Sequence, residues 1–484
     1  MLRPRGPGTG GARSAPSGDP LTVANRNGRA LPGDPPHLFK PSKWRNPKMP
    51  SSKSGHRFAH LSDVHVGAWR EAKLARLSME TFQWMLDRCL EEKVDFVVIS
   101  GDLFDSNIPD LQAVKEAAEA MRKVRERGVS IYVTYGSHDY SVSATSIVDV
   151  LDGAGLFTNV VRLGKAAGEG ERIRLGFVED PATGAKLAGL YGRRNGLESE
   201  YYRLLDRGPL EREKGFKVFL FHSAIEELRP PGYEFGQSVP ISLFPKGFDY
   251  YAGGHVHARI LEEIPGYGRI AFPGPLFGHG FGDLEEIAKG TKRGFFIVDF
   301  GEEVEDVRFV EVPLPKVAFE TIDADGKTAA QLTKSLEKLA GSLDCDGTIV
   351  LVKVTGRLSS GKTAEVPFDK VRKEMEGKKA IIVRINRAGL TSAETSSAKV
   401  SGKTREEIEE YVLGQAVKGY SVEPSLEPGL RAELAGRLSG EAGVRAAKKL
   451  LGSLAQEAKE NERKEVFRDR MVREAKEALG LEGS

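Results

Sequence analysis

Side chains of the kinds that bind divalent metals follow short apolar runs across the first half of the chain. The runs FAHLS, VDFVVIS, VSIYVTY, KVFLF and DYYAG have the length and composition of buried strands. Ligands gather at the carboxyl edge of an open α/β sheet, so we expect the side chains after these runs to meet there and form a site for two divalent metal ions. The candidate ligands are Asp63, His65, Asp102, Ser137, His222, His255 and His257, and His138 adjoins them.

The types and spacing of these residues indicate phosphoryl-transfer chemistry. Asp63 and His65 lie two residues apart, as do His255 and His257, so one loop can bring both members of a pair to one metal. Asp102 follows a glycine at a strand end, where its carboxylate can bridge two cations. Imidazole nitrogen argues against an all-oxygen magnesium site and for manganese, iron, cobalt or zinc. Two such ions about 4 Å apart can hold a hydroxide and clamp the oxygens of an in-line phosphoryl displacement.

The opposing interpretation is that the histidines are structural, as an isolated histidine on a strand usually is. His60 has the same strand location as the ligands, and we expect it to be buried rather than bound to metal. Five of the nine histidines, however, stand in ordered motifs with paired acids, which favours a metal site.

Length and composition predict a multidomain globular protein. A chain of 484 residues suggests two or three domains, and its two cysteines provide neither a disulfide framework nor zinc spacing, which fits a reducing compartment. No apolar run approaches the roughly 20 residues that span a membrane. The net charge of +2 means that any nucleic acid must be bound by a local patch.

Shifts in composition divide the chain into four segments. Residues 1–55 are rich in Gly, Pro, Ser and Arg and are predicted to be a disordered leader, with a transit peptide as the alternative and Met49 as the working start. From 56 to 312 strands alternate with helices, which predicts an α/β fold of sheets flanked by helices. Apolar residues at helical spacing predict helices over 71–92 and 110–127, with Leu111 on the apolar face of the second. Residues 316–400 are predicted to form a small α+β domain, and 403–484 a charged helical segment.

The motifs resemble those of the calcineurin-like metallophosphoesterase superfamily, which carries D-x-H, GD-x-x-D, G-[NS]-H-D, a lone His and G-H-x-H in this order. FAHLSDVHVG, GDLFDS, YGSHDY, GGHVH and FPGPLFGHGFGD look like one branch of it, the meiotic recombination eleven nuclease family that includes the bacterial SbcD exonucleases. The resemblance is strong over about 56–312. Over 316–400 it rests on position and strand–helix order, and over 403–484 on position and composition.

The resemblance implies a role for each candidate residue. One metal would bind Asp63, His65, Asp102 and His257, and the other would bind Asp102 as a bridge, Ser137, His222 and His255. His138 would act as general acid or stabilise the phosphate. Asp105, three residues past Asp102, is placed to accept a hydrogen bond from His138, or it merely caps its loop.

The resemblance also implies an activity and partners. It implies a manganese-dependent 3′-to-5′ double-strand exonuclease with single-strand endonuclease activity, acting on DNA as a homodimer in the cytoplasm at the nucleoid. Residues 316–400 would cap the DNA and 403–484 would bind a coiled-coil SMC-like ATPase. Two alternatives are a phosphodiesterase or phosphatase for substrates other than nucleic acid, and a DNA-end scaffold with a weakened metal site.

One residue departs from the family motif, which usually reads GNHD where this chain reads GSHD. The amide oxygen of asparagine ligates a cation directly, whereas a serine hydroxyl is shorter and a weaker neutral donor. We therefore expect the second metal to bind more weakly, with three strong ligands remaining.

Three further patterns have competing interpretations. GRLSSGKT over 356–363 matches a phosphate-binding loop, but Pro367 would break the helix that such a loop must open, so we expect no nucleotide there. Arg193 and Arg194 are either DNA phosphate contacts or solvated surface. The last helix, predicted over about 441–479, has a thin apolar stripe that either packs on its own body or binds the ATPase.

Overall fold

The computed structural model describes residues 55–139, 145–165, 172–192, 198–230, 238–393 and, in the C-terminal part, 409–410, 412–414, 417, 428–454, 456 and 464–479. Numbered in chain order, the strands are β1 His56–Leu61, β2 Phe96–Ser100, β3 Ser130–Thr134, β4 Thr158–Asn159, β5 Arg162–Lys165, β6 Ile173–Gly176, β7 Val178–Glu179, β8 Lys186–Gly189, β9 Lys217–His222, β10 Ala224–Ile225, β11 Ser238–Val239, β12 Tyr250–Gly254, β13 Ile260–Glu263, β14 Arg269–Phe272, β15 Gly294–Phe300, β16 Val304–Glu311, β17 Lys316–Asp323, β18 Thr348–Leu358 and β19 Ile382–Ser392. The helices are α1 Ala72–Glu91, α2 Leu111–Arg125, α3 Ile147–Gly153, α4 Glu198–Leu204, α5 Gly208–Arg212, α6 Phe281–Ala288, α7 Ala329–Ser342, α8 Phe368–Gly377, α9 Pro428–Arg437, α10 Gly440–Leu454 and α11 Lys464–Leu479.

Two six-stranded sheets form the first compact unit, which runs to Asp283 and resumes over Lys292–Leu314. The first sheet has the order β16-β15-β1-β2-β3-β4; β1 to β4 are parallel, and β15 and β16 are antiparallel to their neighbours. The second has the order β13-β14-β12-β9-β8-β7 and is parallel except at its edge strands. The predicted α/β class is confirmed, but the candidate ligands follow strands of two sheets rather than of one.

The two sheets pack face to face through a buried aromatic core. Phe58 of β1 stacks on Phe96 of β2 and meets the ring of Tyr250 of β12 edge-on, with centroids 5.0 and 5.2 Å apart. The other face of the first sheet packs against helices, including Phe82 of α1 and Met121 of α2. Each such side chain contributes about 1.5–3 kcal/mol by burial, so this core holds both sheets in a fixed relation.

The helices follow the periodicity of their apolar residues. The helix predicted over 71–92 is α1, and its apolar side chains are buried at helical spacing. Helix α2 begins at an N-cap, Asp110, whose carboxylate accepts hydrogen bonds from the backbone N–H groups of Gln112 and Ala113. Leu111 was predicted to lie on the buried face of this helix, but it is 77% exposed because it occupies the first turn, beyond the edge of the core.

The second compact unit contains a three-stranded parallel sheet, β17-β18-β19, with α7 and α8 as the crossovers. Leu332 and Leu336 of α7 pack with Val371 of α8 against the sheet. This strand–helix order follows the expectation for 316–400. The segment GRLSSGKT opens no helix directly: β18 continues to Leu358, a single 3-10 turn covers Thr363–Glu365, and α8 begins only after Pro367.

The C-terminal segment is helical, but the single long helix predicted over 441–479 is wrong. Helices α10 and α11 are separate, and Gln456 between them is not helical. The side chain of Gln456 instead contacts Glu474 and Arg470 of α11, at 2.8 and 2.6 Å. The charged stretch KENERKE, which interrupts the apolar stripe, ends in Lys464 and Glu465, the first two residues of α11. In the part of the chain that the structure describes, no helix is long and apolar enough to cross a membrane.

Candidate metal centre

The candidate ligands lie at the carboxyl ends of strands from both sheets. Asp63 and Asp102 follow β1 and β2 of the first sheet, while His222 ends β9 and His255 follows β12 of the second. Hydrogen bonds between backbone and side-chain groups join the loops of the two sheets. The His255 backbone N–H donates to the Asp63 carboxylate at 3.0 Å, and His222 Nδ1 donates to the Ser100 carbonyl at 2.8 Å. The sequence-predicted convergence is therefore present, with both sheets contributing.

Four of these residues adopt left-handed backbone conformations that side chains other than glycine rarely adopt. The φ angles are 52° for Asp63, 49° for His65, 52° for Asp102 and 83° for His255. Such conformations cost on the order of 1–3 kcal/mol each, and they cluster where function requires them. Here they turn the chain sharply at the strand ends, so that successive side chains face one centre.

Glycines beside the ligands allow the loops to approach closely. A Cβ on Gly136 would lie 2.1 Å from Asp102 Oδ1, and one on Gly101 would lie 2.2 Å from His222 Nδ1. A Cβ on Gly254 would lie 1.9 Å from the Ser100 carbonyl oxygen. The glycines in GDLFD, GSHD and GGHVH are thus part of the geometry of the site.

Asp102 occupies the middle of the constellation. Its Oδ2 lies 3.0 Å from His222 Nε2 and 3.8 Å from His65 Nε2. On either side, His257 Nε2 lies 3.8 Å from Asp63 Oδ1, and the rings of His255 and His222 are 5.3 Å apart. One carboxylate between two sets of ligands is the arrangement expected of a bridge between two cations.

The buried charges of the centre shift one another's pKa values. Burial would raise the pKa of the Asp102 carboxyl, but the imidazoles of His222 and His65 lower it well below its usual value. Burial would likewise lower the pKa of His222, but Asp102 raises it to about 10. Burial, with the charge of His222, lowers the pKa of His255 to about 4. The centre therefore holds an ionised carboxylate among imidazole side chains. These donor types bind borderline divalent ions when the imidazoles are neutral, so binding at His222 would release its proton.

The donors fit a divalent cation. The Nε2 atoms of His65 and His222 are buried, and neither makes a well-aligned hydrogen bond within the described residues. A buried donor or acceptor without such a partner costs free energy, and a metal ion between these nitrogens and Asp102 would remove that cost. Donor atoms of Asp63, Asp102 and His222 lie within 4.8 Å of one another, as do those of His65, Asp102 and His138.

His138 lies at the edge of the centre, and its contact with Asp105 differs from the predicted one. Its Nδ1 donates to the backbone carbonyl of Asp105 at 2.6 Å, while the carboxylate Oδ1 is 3.9 Å away. That carboxylate lies 3.2 Å from Nδ1 of both His65 and His279. Asp105 therefore holds the His138 ring by its main chain, and its carboxylate lies at ion-pair distance from the His65 ring.

Three residues of the site were not assigned from the sequence. Asp283 Oδ1 lies 3.0 Å from His257 Nδ1 and orients that ring, and Arg293 lies 3.2 Å from the same oxygen. His279 stacks on the ring of His65, with centroids 4.3 Å apart. The signal was available in the segment GHGFGD, where His279 and Asp283 are four residues apart.

The structure bears in different ways on the remaining residues discussed from the sequence, which are Ser137, Arg193, Arg194 and His60. Ser137 is half-buried in the turn after β3, and its ligation of the second metal stays a prediction. Arg193 and Arg194 lie outside the described residues. His60 is buried between the sheets, with Nδ1 2.9 Å from the Tyr250 hydroxyl and Nε2 3.1 Å from Ser100 Oγ, as expected for a residue that does not bind metal.

The sequence of this chain is similar to those of known proteins. The family model for calcineurin-like phosphoesterases matches residues 56–259. Relatives named DNA double-strand break repair protein Mre11 align over much of the chain. The protein from Archaeoglobus fulgidus is 25% identical over 344 residues, covering 65% of this chain and 72% of its own length. Those from Methanococcus maripaludis and Methanopyrus kandleri are 27 and 31% identical, covering 50 and 53% of this chain and 63 and 57% of theirs.

Proposed function

We propose that this chain, an Mre11-type member of the calcineurin-like phosphoesterase family, is a manganese-dependent DNA nuclease that processes double-strand breaks. Its activities would be 3′-to-5′ exonucleolytic on double strands and endonucleolytic on single strands. It would act as a homodimer with a coiled-coil SMC-like ATPase, in the cytoplasm at the nucleoid. The names of the relatives support the repair role, and the candidate metal centre supports hydrolysis of a phosphodiester.

The observation that carries the proposal is the position of Asp102. Its carboxylate lies between the Nε2 atoms of His65 and His222, which are buried and make no well-aligned hydrogen bond within the described residues. We infer that His65, Asp63 and His257 complete one metal site with Asp102. His222, His255 and Ser137 complete the other.

When bound, two divalent ions supply Lewis-acid activation of the attacking water and neutralise charge on the phosphate. The chain's own residues position the reactants. Asp283 accepts a hydrogen bond from His257 Nδ1, and the Asp105 carboxylate lies 3.2 Å from His65 Nδ1, so that each Nε2 faces the centre. The buried walls around Asp63 and Asp102 exclude bulk water and strengthen the electrostatic interactions there.

We propose that His138 serves as the general acid. The Asp105 carbonyl holds a proton on its Nδ1, so the imidazolium form carries its second proton on Nε2. That proton can pass to the leaving oxygen as the phosphodiester bond breaks. The side chain is 31% exposed, which leaves it accessible to a substrate.

The remaining assignments complete the proposal. Residues 316–400 would cap the DNA, and Arg193 and Arg194 would contact its phosphates. Residues 403–484 would bind the ATPase. Basic side chains that contact phosphates position a duplex without reading its sequence, as a nuclease that acts on broken ends requires.

Cleavage of an end-labelled DNA duplex with and without manganese tests the proposal. Asp102→Asn should abolish cleavage and release bound metal, because the shared carboxylate holds both ions. Asp87→Asn on the surface of α1 is the matched control and should cleave normally. A folded Asp102→Asn protein that keeps more than about a tenth of the wild-type rate would contradict the two-metal mechanism.

The same assay separates the alternatives. A chain that hydrolyses a small phosphodiester with manganese but leaves every DNA substrate intact would be a phosphodiesterase for other substrates. A chain that binds DNA ends and the ATPase without any cleavage would be a scaffold. Either result would overturn the nuclease assignment.

A further inference from the structure

His279 lies beside the candidate metal centre, and its ring is close to the rings of three of the histidines there. Its ring stacks on that of His65 at 4.3 Å between centroids and lies 5.0 Å from that of His257 and 5.8 Å from that of His138. Its side chain is 35% exposed, whereas that of His65 is 1% exposed. His279 is therefore the outermost ring of a histidine cluster whose other rings line the proposed metal centre.

The hydrogen-bonding atoms of His279 are directed to the two carboxylates that orient the ligand rings. Nδ1 lies 3.2 Å from Asp105 Oδ1, which is also 3.2 Å from Nδ1 of His65. The backbone N–H of His279 donates to Asp283 Oδ2 at 3.0 Å, and the other oxygen of Asp283 faces His257 Nδ1. A continuous path thus runs from His65 through Asp105, His279 and Asp283 to His257.

The turn that carries His279 is built to hold this position. Gly278 has a φ of +104°, and a Cβ there would lie 2.3 Å from the Asp283 side chain. The Gly278 carbonyl accepts a hydrogen bond from Trp69 Nε1 at 2.9 Å. Arg293 fixes the far end, with hydrogen bonds to the His257 carbonyl at 2.8 Å and to Asp283 at 3.2 Å.

We propose that His279 is a positioning residue that ties Asp105 to Asp283 and so fixes the two imidazoles that bind one metal ion. Its 3.2 Å contact with Asp105 keeps that carboxylate aimed at His65, and its stacked ring prevents the His65 ring from turning. Without His279 the Asp105 side chain, which is 30% exposed, is free to swing toward solvent. Partners that orient metal ligands in this way contribute about 10- to 100-fold in metal affinity or activity.

The inference rests on the metal centre of the proposed function, so its test measures manganese binding in the absence of DNA. Titration calorimetry of the full-length protein resolves the affinity and number of the sites. Because no cleavage is measured, a failure of the nuclease assignment does not affect the result.

His279→Ala should weaken one manganese site by about 10- to 100-fold and leave the other unchanged, with the stoichiometry still two. His279→Asn should restore most of the affinity, because its amide nitrogen lies near the place of Nδ1 and can donate to Asp105. His279→Gln places its nitrogen near Nε2 instead and should not restore it. The exposed His56, changed to Ala, is the control that should bind both ions normally.

The outcomes decide the role. Unchanged affinity in His279→Ala, or equal rescue by Asn and Gln, would overturn it. Loss of one whole site in both His279→Ala and His279→Asn would show that His279 ligates a metal itself, which would also overturn it. If His279→Ala proves insoluble, the contrast between the Asn and Gln variants carries the test alone.

Discussion

At the scale of single residues, the centre separates the side chains that we propose as metal ligands from those that we propose orient them. Asp63, Asp102 and His222 are buried and face one another, whereas Asp105 and Asp283 face the outer nitrogens of ligand rings. The hydrogen bonds of the outer carboxylates lower their pKa values well below the usual range although burial opposes this, so both stay ionised and accept hydrogen bonds. Substitutions in the two groups should therefore have different signatures.

His138→Ala should leave bound metal near normal and reduce turnover by about 10²- to 10⁴-fold, the range for a lost general acid. The reason is that its Nδ1 is held by a carbonyl at the edge of the centre, which leaves Nε2 for the substrate. Elemental analysis of purified protein and single-turnover cleavage of a labelled duplex measure the two effects separately.

Asp105→Asn provides the contrast for His138→Ala. The sequence alone predicted that the Asp105 carboxylate accepts a hydrogen bond from His138, but the carboxylate contacts His65 and His279 and lies 3.9 Å from His138. Asp105→Asn should therefore lower metal affinity. Loss of a metal in His138→Ala would instead identify His138 as a ligand, since its donor atoms lie within 4.8 Å of those of His65 and Asp102.

Ser137→Asn should lower the manganese concentration needed for half-maximal activity, because an amide oxygen reaches farther and ligates better than a hydroxyl. Each tenfold gain corresponds to about 1.4 kcal/mol of tighter binding. The maximal rate should change little, since His138 and the other ligands are untouched. Manganese titration of cleavage, with Ser137→Ala as the control that should need more metal, makes the comparison.

A manganese requirement that does not fall in Ser137→Asn would show that the hydroxyl does not limit the second site. The turn after β3 would then have adapted to serine, with no room for the larger side chain.

At the scale of elements, the site depends on how closely the ends of neighbouring strands approach one another. Strands β1, β2 and β3 bring their loops together in one sheet, and β9 and β12 bring theirs from the other. The aromatic core between the sheets fixes that approach, and glycine occupies the closest points. The loops are therefore rigid parts of the centre, and a single methyl group should disturb it.

Gly136→Ala should reduce metal binding and destabilise the fold by about 1–3 kcal/mol, as overpacking does. Its Cβ would lie 2.1 Å from Asp102 Oδ1, so the bridging carboxylate must move. Thermal unfolding of the metal-free protein and manganese titration report the two effects.

Gly153→Ala is the control for Gly136→Ala. Gly153 ends α3, and a Cβ there would meet no atom within 4 Å, so this variant should keep both stability and metal affinity. If Gly136→Ala binds manganese as the wild type does, close approach at this loop is not required.

At the scale of the whole molecule, the chain divides into two compact units with different tasks. The first holds every metal ligand predicted here, and the second holds the parallel sheet β17-β18-β19 and the C-terminal helices. Leu451 of α10 and Val472 of α11 are 54 and 48% exposed. These two side chains would belong to the surface that we propose for the ATPase partner.

Deletion of residues 403–484 should preserve manganese-dependent cleavage by the isolated chain and end its binding to a coiled-coil ATPase. The proposed catalytic groups lie in the first unit, whereas Leu451 and Val472 of the proposed partner surface lie on the deleted helices. Co-purification and nuclease assays of the truncated chain measure both.

Leu451→Glu in the full chain should weaken the same interaction, and Lys448→Glu on an exposed position of α10 is its control. Co-purification of the truncated chain with the ATPase would rule out this role for residues 403–484.

The sequence by itself determined the types of donor, their order and the strands before them. Asp102 after VVIS and His222 after KVFLF lie at strand ends as predicted, and α1 begins and ends within one residue of its prediction. These features depend on local periodicity and on the chemistry of each side chain, and both can be read directly from the amino-acid sequence.

Only the tertiary structure decided which groups meet. Asp105 and His279 are separated by 174 positions in the sequence. They share a hydrogen bond because the loop after β2 and the loop before α6 lie side by side in the folded chain. The exposure of Leu111 and the break at Gln456 also depend on surroundings that periodicity does not contain. The partner of a side chain is set by the packing of two sheets against each other, which no local pattern specifies.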